Sequence, residues 1–333
     1  MSILEQTLKS LRIGEAQHYR NLTVFPLLSP NPKNAFYMTL EQALAQNSLH
    51  ITEVDEGGSV PELLLKNRGE QPVLLLDGEE LIGAKQNRML NLTILAPANS
   101  TLVIPVSCIE QGRWHAHSHR FDSAGRVMYA ELRARKLGQV SEALHRRSSR
   151  SADQSSVWQN IQCKLGEKGV ESYSDCASDL YGHHQHSLHS YITAFYTTAG
   201  QTGVAFAIDG KVAGIDLFDS ESTLQSALSK LVKSYALECF DKPAQQQNTH
   251  AHDIQHMLDE LASAEVAQFT AIGMGHDLRF NSRHYRGAAL EADDRIVHLC
   301  AFRKHTTAPR DSENEPDDQR FAAFSQRRNR FFH

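Results

Sequence analysis

Three times this chain runs apolar, turns through acidic or Asp-Gly residues, and runs apolar again: VLLLDGEELIG, GVAFAIDGKVAGIDLFDS and GAALEADDRIVHLCAF. Asp-Gly between apolar runs favours a tight two-residue hairpin, because glycine takes a positive φ at no steric cost. A chain that repeats this pattern is committed to antiparallel sheet. The likeness among the three allows a repeat of hairpins in two related halves. Ordinary reuse of turn chemistry explains it as well, and is the reading we prefer.

Helices are predicted between these patterns. Residues 2–12 place Ile3, Leu4, Leu8 and Leu11 on one face. Residues 39–46 form a short helix, followed by strands at 50–54 and 63–66 after an extended run at 22–28. Residues 123–148 read as one long helix carrying Val127, Leu132, Val140 and Leu144, with its arginines on a solvated face. A helix capped by Ser151 or Asp153 follows, with Val157, Trp158, Ile161 and Leu165 inward. The histidine-rich run YGHHQHSLHS reads as a loop or helix end. The clearest helix spans 220–240, with Leu224, Leu228, Leu231, Tyr235 and Phe240 inward and Lys230 and Lys233 outward. Residues 253–264 add a helix and 267–274 a strand. The expected class is α+β: mostly antiparallel sheet of hairpins with long helices packed against it. Residues 1–303 are expected as a single domain with sub-lobes at about 1–120 and 121–303. The polar, charged, Pro-containing segment 304–333 reads as a disordered tail.

The chemistry is densest between Leu74 and Trp114. Leu74–Leu76 stops at Asp77-Gly78, the strand resumes at Leu81 and Ile82, and AKQNR reads as an exposed loop or turn. Leu90, Leu92 and Ile94 alternate as a strand, and LVIPVSCIE returns as the second arm of a hairpin. Pro105 places that arm at a sheet edge or on a bulge, since proline cannot donate to a ladder. On a strand Cys108 and Glu110 share one face. Set opposite Glu79, Glu80, Lys85 and Arg88, they would form a polar pocket with a buried carboxylate and a cation for an anion. The alternative is a solvated turn and a small core cysteine. Arg126 or Arg133 could reach the same pocket to take a phosphate, as arginine's planar fork suits. Gln154 and Trp158 share a helix side and could meet a base, or simply pack. Asp216 and Asp219 could add carboxylates or cap a helix.

The runs DGEELIGAKQNR, IPVSCIEQGRW and FAIDGKVAGIDLFDS resemble the bacterial family of ADP-ribosylglycohydrolase- and rhodanese-phosphatase-associated proteins, over about residues 15–303. The resemblance implies a role tied to NAD- and ADP-ribose-processing enzymes and carries over no catalytic residue. The leading expectation is therefore a cytoplasmic protein that binds a nucleotide-like ligand such as ADP-ribose or an NAD relative. Lys85, Gln86, Asn87, Arg88, Gln111, Arg113 and Trp114 form the expected ligand set. The cations would take phosphate, and Glu79, Glu80 and Glu110 the ribose hydroxyls. A second reading is a hydrolase with Glu79 or Glu80 as general base, assisted by Glu110 or Cys108, with a divalent ion held by the acids. A third is a protein-interaction scaffold using the basic helix and the terminal RRNRFFH.

Several classes are excluded. A net charge of −5 argues against a dedicated nucleic-acid binder, although residues 120–150 are locally basic. No apolar run approaches the roughly twenty residues that span a bilayer. No signal sequence is visible, and five scattered cysteines without a CxxC pair support neither a disulfide framework nor a zinc knuckle. His115, His117 and His119 alternate on a strand but lack a carboxylate or cysteine at fixed spacing, so no metal is assigned. The standard phosphate-loop, dinucleotide, GxSxG and HExxH patterns are absent. The sequence names no cofactor and leaves a homo-oligomer open.

Overall fold

The computed structural model describes residues 1–55, 57–113, 118–240 and 249–304. Two of the three recurrent patterns fold as hairpins. Gln201–Ile208 pairs with Lys211–Phe218 across Asp209 (φ 49°) and Gly210 (φ 74°). Tyr285–Ala292 pairs with Arg295–Arg303 across Asp293 and Asp294, both at φ 53°. Positive φ at both turn positions twists the backbone to match the strands it joins.

These hairpins are neighbours in a nine-stranded antiparallel sheet. Its order is Arg12–Ile13, Leu22–Leu28, Gln201–Ile208, Lys211–Phe218, Arg295–Arg303, Tyr285–Ala292, His276–Asn281, Glu265–Thr270, with Gln17–Tyr19 also paired to Leu22–Leu28. One face is closed by the helices Ile3–Ser10 and Ala251–Ala262. Leu4, Leu8, Ile254, Met257 and Leu258 pack there on Phe25, Leu27, Ile215 and Leu217. The other face carries Val24, Phe206, Phe218, Val297 and Phe302, and shares one core with the helices Ala130–Arg147, Gln154–Glu167, Ala177–His183, Gln185–Ala194 and Glu221–Ala236.

Two smaller sheets complete the chain. One has the order Phe121–Val127, Glu79–Gly83, Arg88–Leu90, Ser100–Cys108, Glu62–Asn67, Leu49–Glu53. The other runs Ile94–Ala96, Val73–Leu75, Met38–Thr39. With the helix Leu40–Ala45 they enclose their own apolar core of Leu40, Ile51, Leu65, Leu75, Leu90, Ile104 and Phe121. The fold is thus α+β, and Met1–Arg303 forms one compact unit. No helix among the described residues is long and apolar enough to cross a membrane.

Several expectations are corrected. Asp77-Gly78 is no hairpin turn: Val73–Leu75 and Glu79–Gly83 belong to different sheets. Leu90, Leu92 and Ile94 are not one strand, because Arg88–Leu90 and Ile94–Ala96 part in the same way, all three residues being buried nonetheless. Pro105 lies on an interior strand. It sits where that strand leaves one neighbour (Pro105 opposite Glu62) and takes the next (Val106 opposite Leu90), so no ladder donor is missed. The helix expected from 123 begins at Ala130, because Phe121–Val127 is claimed by pairing with Glu79–Gly83. The histidine-rich run is helical. Lys230 points inward, drawn by carboxylates rather than solvent. The strand expected at 267–274 is Glu265–Thr270.

Candidate functional site

Most of the charged side chains singled out between Leu74 and Arg113 are buried, and they are held by one another or by the long helices. Asp77 binds Lys136 and approaches the Arg133 Nε at 3.7 Å, both cations coming from the helix Ala130–Arg147. Arg133 also donates to Asp216 on the nine-stranded sheet, at 2.7 Å from Nη2 and 3.3 Å from Nη1. The Thr93 hydroxyl accepts from the Asp77 backbone N–H at 3.1 Å and meets His298 Nδ1 at 2.7 Å. His298 Nε2 lies 3.4 Å from Asp216. A hydroxyl proton given to Nδ1 leaves Nε2–H facing the carboxylate. Burial works to raise the Asp216 carboxyl, but the Arg133 charge and the His298 and Arg133 hydrogen bonds hold it below the usual range. Two carboxylates and two cations therefore balance in the buried interior, which is the condition for tolerating buried charge.

Glu79 and Glu80, side by side on one strand, point to opposite faces. Glu79 accepts from Lys230 at 2.6 Å and from the Leu76 N–H at 2.8 Å, and Lys230 also binds Glu41. One ammonium thus serves two carboxylates. Burial pushes the interior Glu79 carboxyl up, whereas Glu41 falls below its ordinary value once the Lys230 charge and hydrogen bond offset its own burial. Glu80 takes Arg126 and the Ser178 hydroxyl, and the Arg126 guanidinium lies over the Tyr181 ring. Arg126 and Arg133 do reach this stretch, but each meets a carboxylate there.

A third group forms around Glu110. It pairs with Arg113 at 2.7 Å and accepts from the Asn87 N–H at 3.2 Å and the Ser174 hydroxyl at 3.1 Å. Arg113 donates to the Ala84 carbonyl at 2.8 Å and to Asn87 Oδ1 at 3.1 Å. The buried Cys108 thiol meets Gln86 Oε1 at 2.9 Å, Arg88 donates to the same oxygen at 2.8 Å, and burial raises the thiol's pKa. Gln154 clamps the Cys108 backbone through both its N–H and its carbonyl, each at 2.8 Å. Lys85, half-buried, binds the Gly57 carbonyl at 2.6 Å. Gln111 is exposed and bonds Gln162 at 3.0 Å. AKQNR, expected as an exposed loop, is therefore largely interior: Ala84, Gln86 and Arg88 are buried. Trp114, His115, His117, the linker at 241–248 and the tail from 305 lie outside the described residues.

Space for a ligand opens beside this stretch. A cleft of about 640 Å³ is lined by Ile82 and Gly83, by Asn47 and His50 from across the small sheet, and by Ser118–Asp122. A relay leads to it from Glu110. Arg113 holds the Ala84 carbonyl, the Ala84 N–H donates to Ser118 Oγ at 2.9 Å, and Ser118 donates to the Arg120 carbonyl at 2.7 Å. Gly83, at φ 129°, lets the two segments approach, since a Cβ there would lie 2.6 Å from the Arg120 oxygen. The wall carries His50, His119 and Arg120 against one carboxylate, Asp122. Burial lowers the His50 pKa, and the charges of Arg120, Arg68 and Lys66 lower it further, as a positive local field requires.

The family model of the ARG and Rhodanese-Phosphatase-superfamily-associated Protein domain, ARPP-1, matches residues 10–302. The chain belongs to the ARPP-1 family. No curated protein and no solved structure matches it. The match covers all three sheets of this ARPP-1 chain, including both arms of the cleft. The sequence shows Arg120 only in a basic run, His119 only in an alternating histidine trio weighed for metal, and His50 only at a strand start. Asn47 and His50 come near Arg120 where the two edge strands of the six-stranded sheet, Leu49–Glu53 and Phe121–Val127, approach each other without pairing, so no local spacing in the sequence joins them.

Proposed function

We propose that this ARPP-1 chain binds a phosphate-bearing, nucleotide-like ligand of the ADP-ribose or NAD class in the cleft walled by His50, His119 and Arg120. The observation that carries the reading is Arg120: its guanidinium donates to no group among the described residues, and it lines a cleft whose other polar groups are His50, His119, Asn47, Ser118 and Asp122. Arginine's fork pairs readily with phosphate oxygens, and Asn47 and Asp122 suit ribose hydroxyls. The resemblance to proteins associated with ADP-ribose-processing enzymes supports the ligand class. In this reading Glu110, Arg113 and Asn87 act from behind, holding the 83–84 backbone that positions Ser118 and Arg120. Lys85, Gln86 and Arg88 belong to the same supporting wall, and Gln111 stands outside it.

Binding is favoured over hydrolysis because Glu79 and Glu80, the candidate general bases, each already meet a cation and a hydrogen-bond donor. A base so closed has little freedom to take a proton from water. The test is a thermal-shift and calorimetric panel of ADP-ribose, NAD, nucleoside phosphates and sugar phosphates on the wild type and Arg120→Ala. Ligand at about a hundred times its dissociation constant should stabilise the fold by roughly 2.7 kcal/mol, and Arg120→Ala should abolish that shift. Binding unchanged by Arg120→Ala would remove the proposal. Turnover lost in Glu80→Gln with binding retained would favour the hydrolase.

A further inference from the structure

A second cleft, of about 380 Å³, lies between the helix Ala130–Arg147 and the sheet edge made by Glu265–Thr270, His276–Asn281 and Tyr285–Ala292. Strand register builds its floor. Arg279 stands opposite Ala267 on one side and Ala288 on the other, and Arg286 stands opposite Asn281. Directly opposed residues share a sheet face, as do residues two apart on one strand. Arg279, Asn281 and Arg286 therefore rise together toward the helix, and the two alanines leave room around Arg279.

The helix is shaped to receive them. Gly138 sits in its interior, where glycine is the weaker helix former, and a Cβ there would collide with Nη1 of Arg286. The missing side chain is what lets the Arg286 guanidinium lie against the helix. Arg286 donates to no group among the described residues. Arg279 is buried and spends Nε and Nη2 on Asp277, at 2.8 and 2.9 Å. Its Nη1 is buried without a hydrogen-bond partner among the described residues. A buried guanidinium N–H without an acceptor is costly, so a site that leaves one in place is suited to an acceptor from outside. His145 joins the wall, and the carboxylates Glu142 and Glu265 stand exposed at the rim without an ion pair among the described residues.

We propose that this cleft is a phosphate-class oxyanion site, in which Arg279 Nη1 and the Arg286 fork take the oxygens of phosphate or a phosphomonoester and the Asn281 amide supplies a further donor. It shares no residue with the cleft around Arg120, and either site can fail without the other. The experiment is calorimetric titration of inorganic phosphate and of ribose 5-phosphate into the Arg120→Ala protein, so that the first cleft contributes nothing. Saturable binding is expected, weakened about tenfold or more by adding Arg286→Gln, the loss of one bidentate contact. A much tighter ribose 5-phosphate assigns the site to phosphomonoesters, and equal affinities assign it to free phosphate; both uphold it. If Arg286→Gln does not fold, Gly138→Ala displaces the guanidinium while keeping its charge and should weaken binding likewise. No saturable binding, or binding undiminished in the folded variant, overturns the proposal.

Discussion

Asp77-Gly78 and Asp209-Gly210 are the same dipeptide set between apolar runs, yet only the second turns a hairpin. At 209–210 both residues take positive φ, and the flanking strands pair across the turn. At 77–78 only Gly78 does, at φ 81°, and the flanking strands leave for different sheets. The difference lies in what the aspartate meets. Asp77 is claimed by Lys136 and Arg133 from the helix behind it, and the same Arg133 holds Asp216 on a strand of the other hairpin. A turn signal is local, and a buried charge with partners far away in the chain overrides it.

The largest expected effect separates the two aspartates. Asp77→Asn leaves Lys136 buried without its counter-charge and should cost about 3–5 kcal/mol in urea unfolding. The corresponding change at Asp209 keeps a residue that tolerates positive φ and should stay within about 0.5 kcal/mol. Equal costs would break the comparison.

The glycines should differ by less. Both Gly78→Ala and Gly210→Ala place a side chain at positive φ, at about 1–2 kcal/mol. At Gly78 the new Cβ also lies 2.9 Å from Cγ of Arg133. Thermal unfolding should therefore show Gly78→Ala as the more damaging, by about 1 kcal/mol or more.

The smallest effect concerns a third turn, between His276–Asn281 and Tyr285–Ala292, which combines the two designs. It is a local hairpin, yet Glu260 from the helix Ala251–Ala262 holds it, accepting from the His284 N–H at 2.7 Å and meeting Nδ1 at 2.9 Å. Burial acts to raise the Glu260 pKa, but hydrogen bonds from Ser282 and His284 bring it to about 2, from an ordinary 4.5. A lowered carboxyl contributes stability above its unfolded pKa and loses it as pH falls through the folded value. The wild type should exceed Glu260→Gln by a few tenths of a kcal/mol at neutral pH, the contact being partly solvent-screened. That lead should vanish between pH 4.5 and about 2. A lead unaffected by acid would contradict the sign.

The legible parts of this fold are those with local causes. The hairpins at 209–210 and 293–294, the helix Glu221–Ala236 and the Asp153 cap follow from turn and periodicity rules. The α+β class follows with them. What was hidden is the destination of charge. Arg133 read as solvated face or phosphate ligand and Lys230 as outward, because each carboxylate that draws them inward lies in a distant segment. The candidate site was half visible for the same reason. The stretch around Glu110 announces itself by composition, while His50 and Asn47 reach Arg120 only where the two edge strands of the six-stranded sheet come together.

The most direct measurement is a double-mutant cycle on Asp77→Asn and Lys136→Met, read as unfolding free energy in urea. If the charged stretch is consumed in holding the helix to the two sheets, the pair should couple by on the order of 2–3 kcal/mol, with the double variant more stable than the sum of the single losses implies. Additive losses would contradict the account and return Asp77 and Lys136 to the residues available to a ligand.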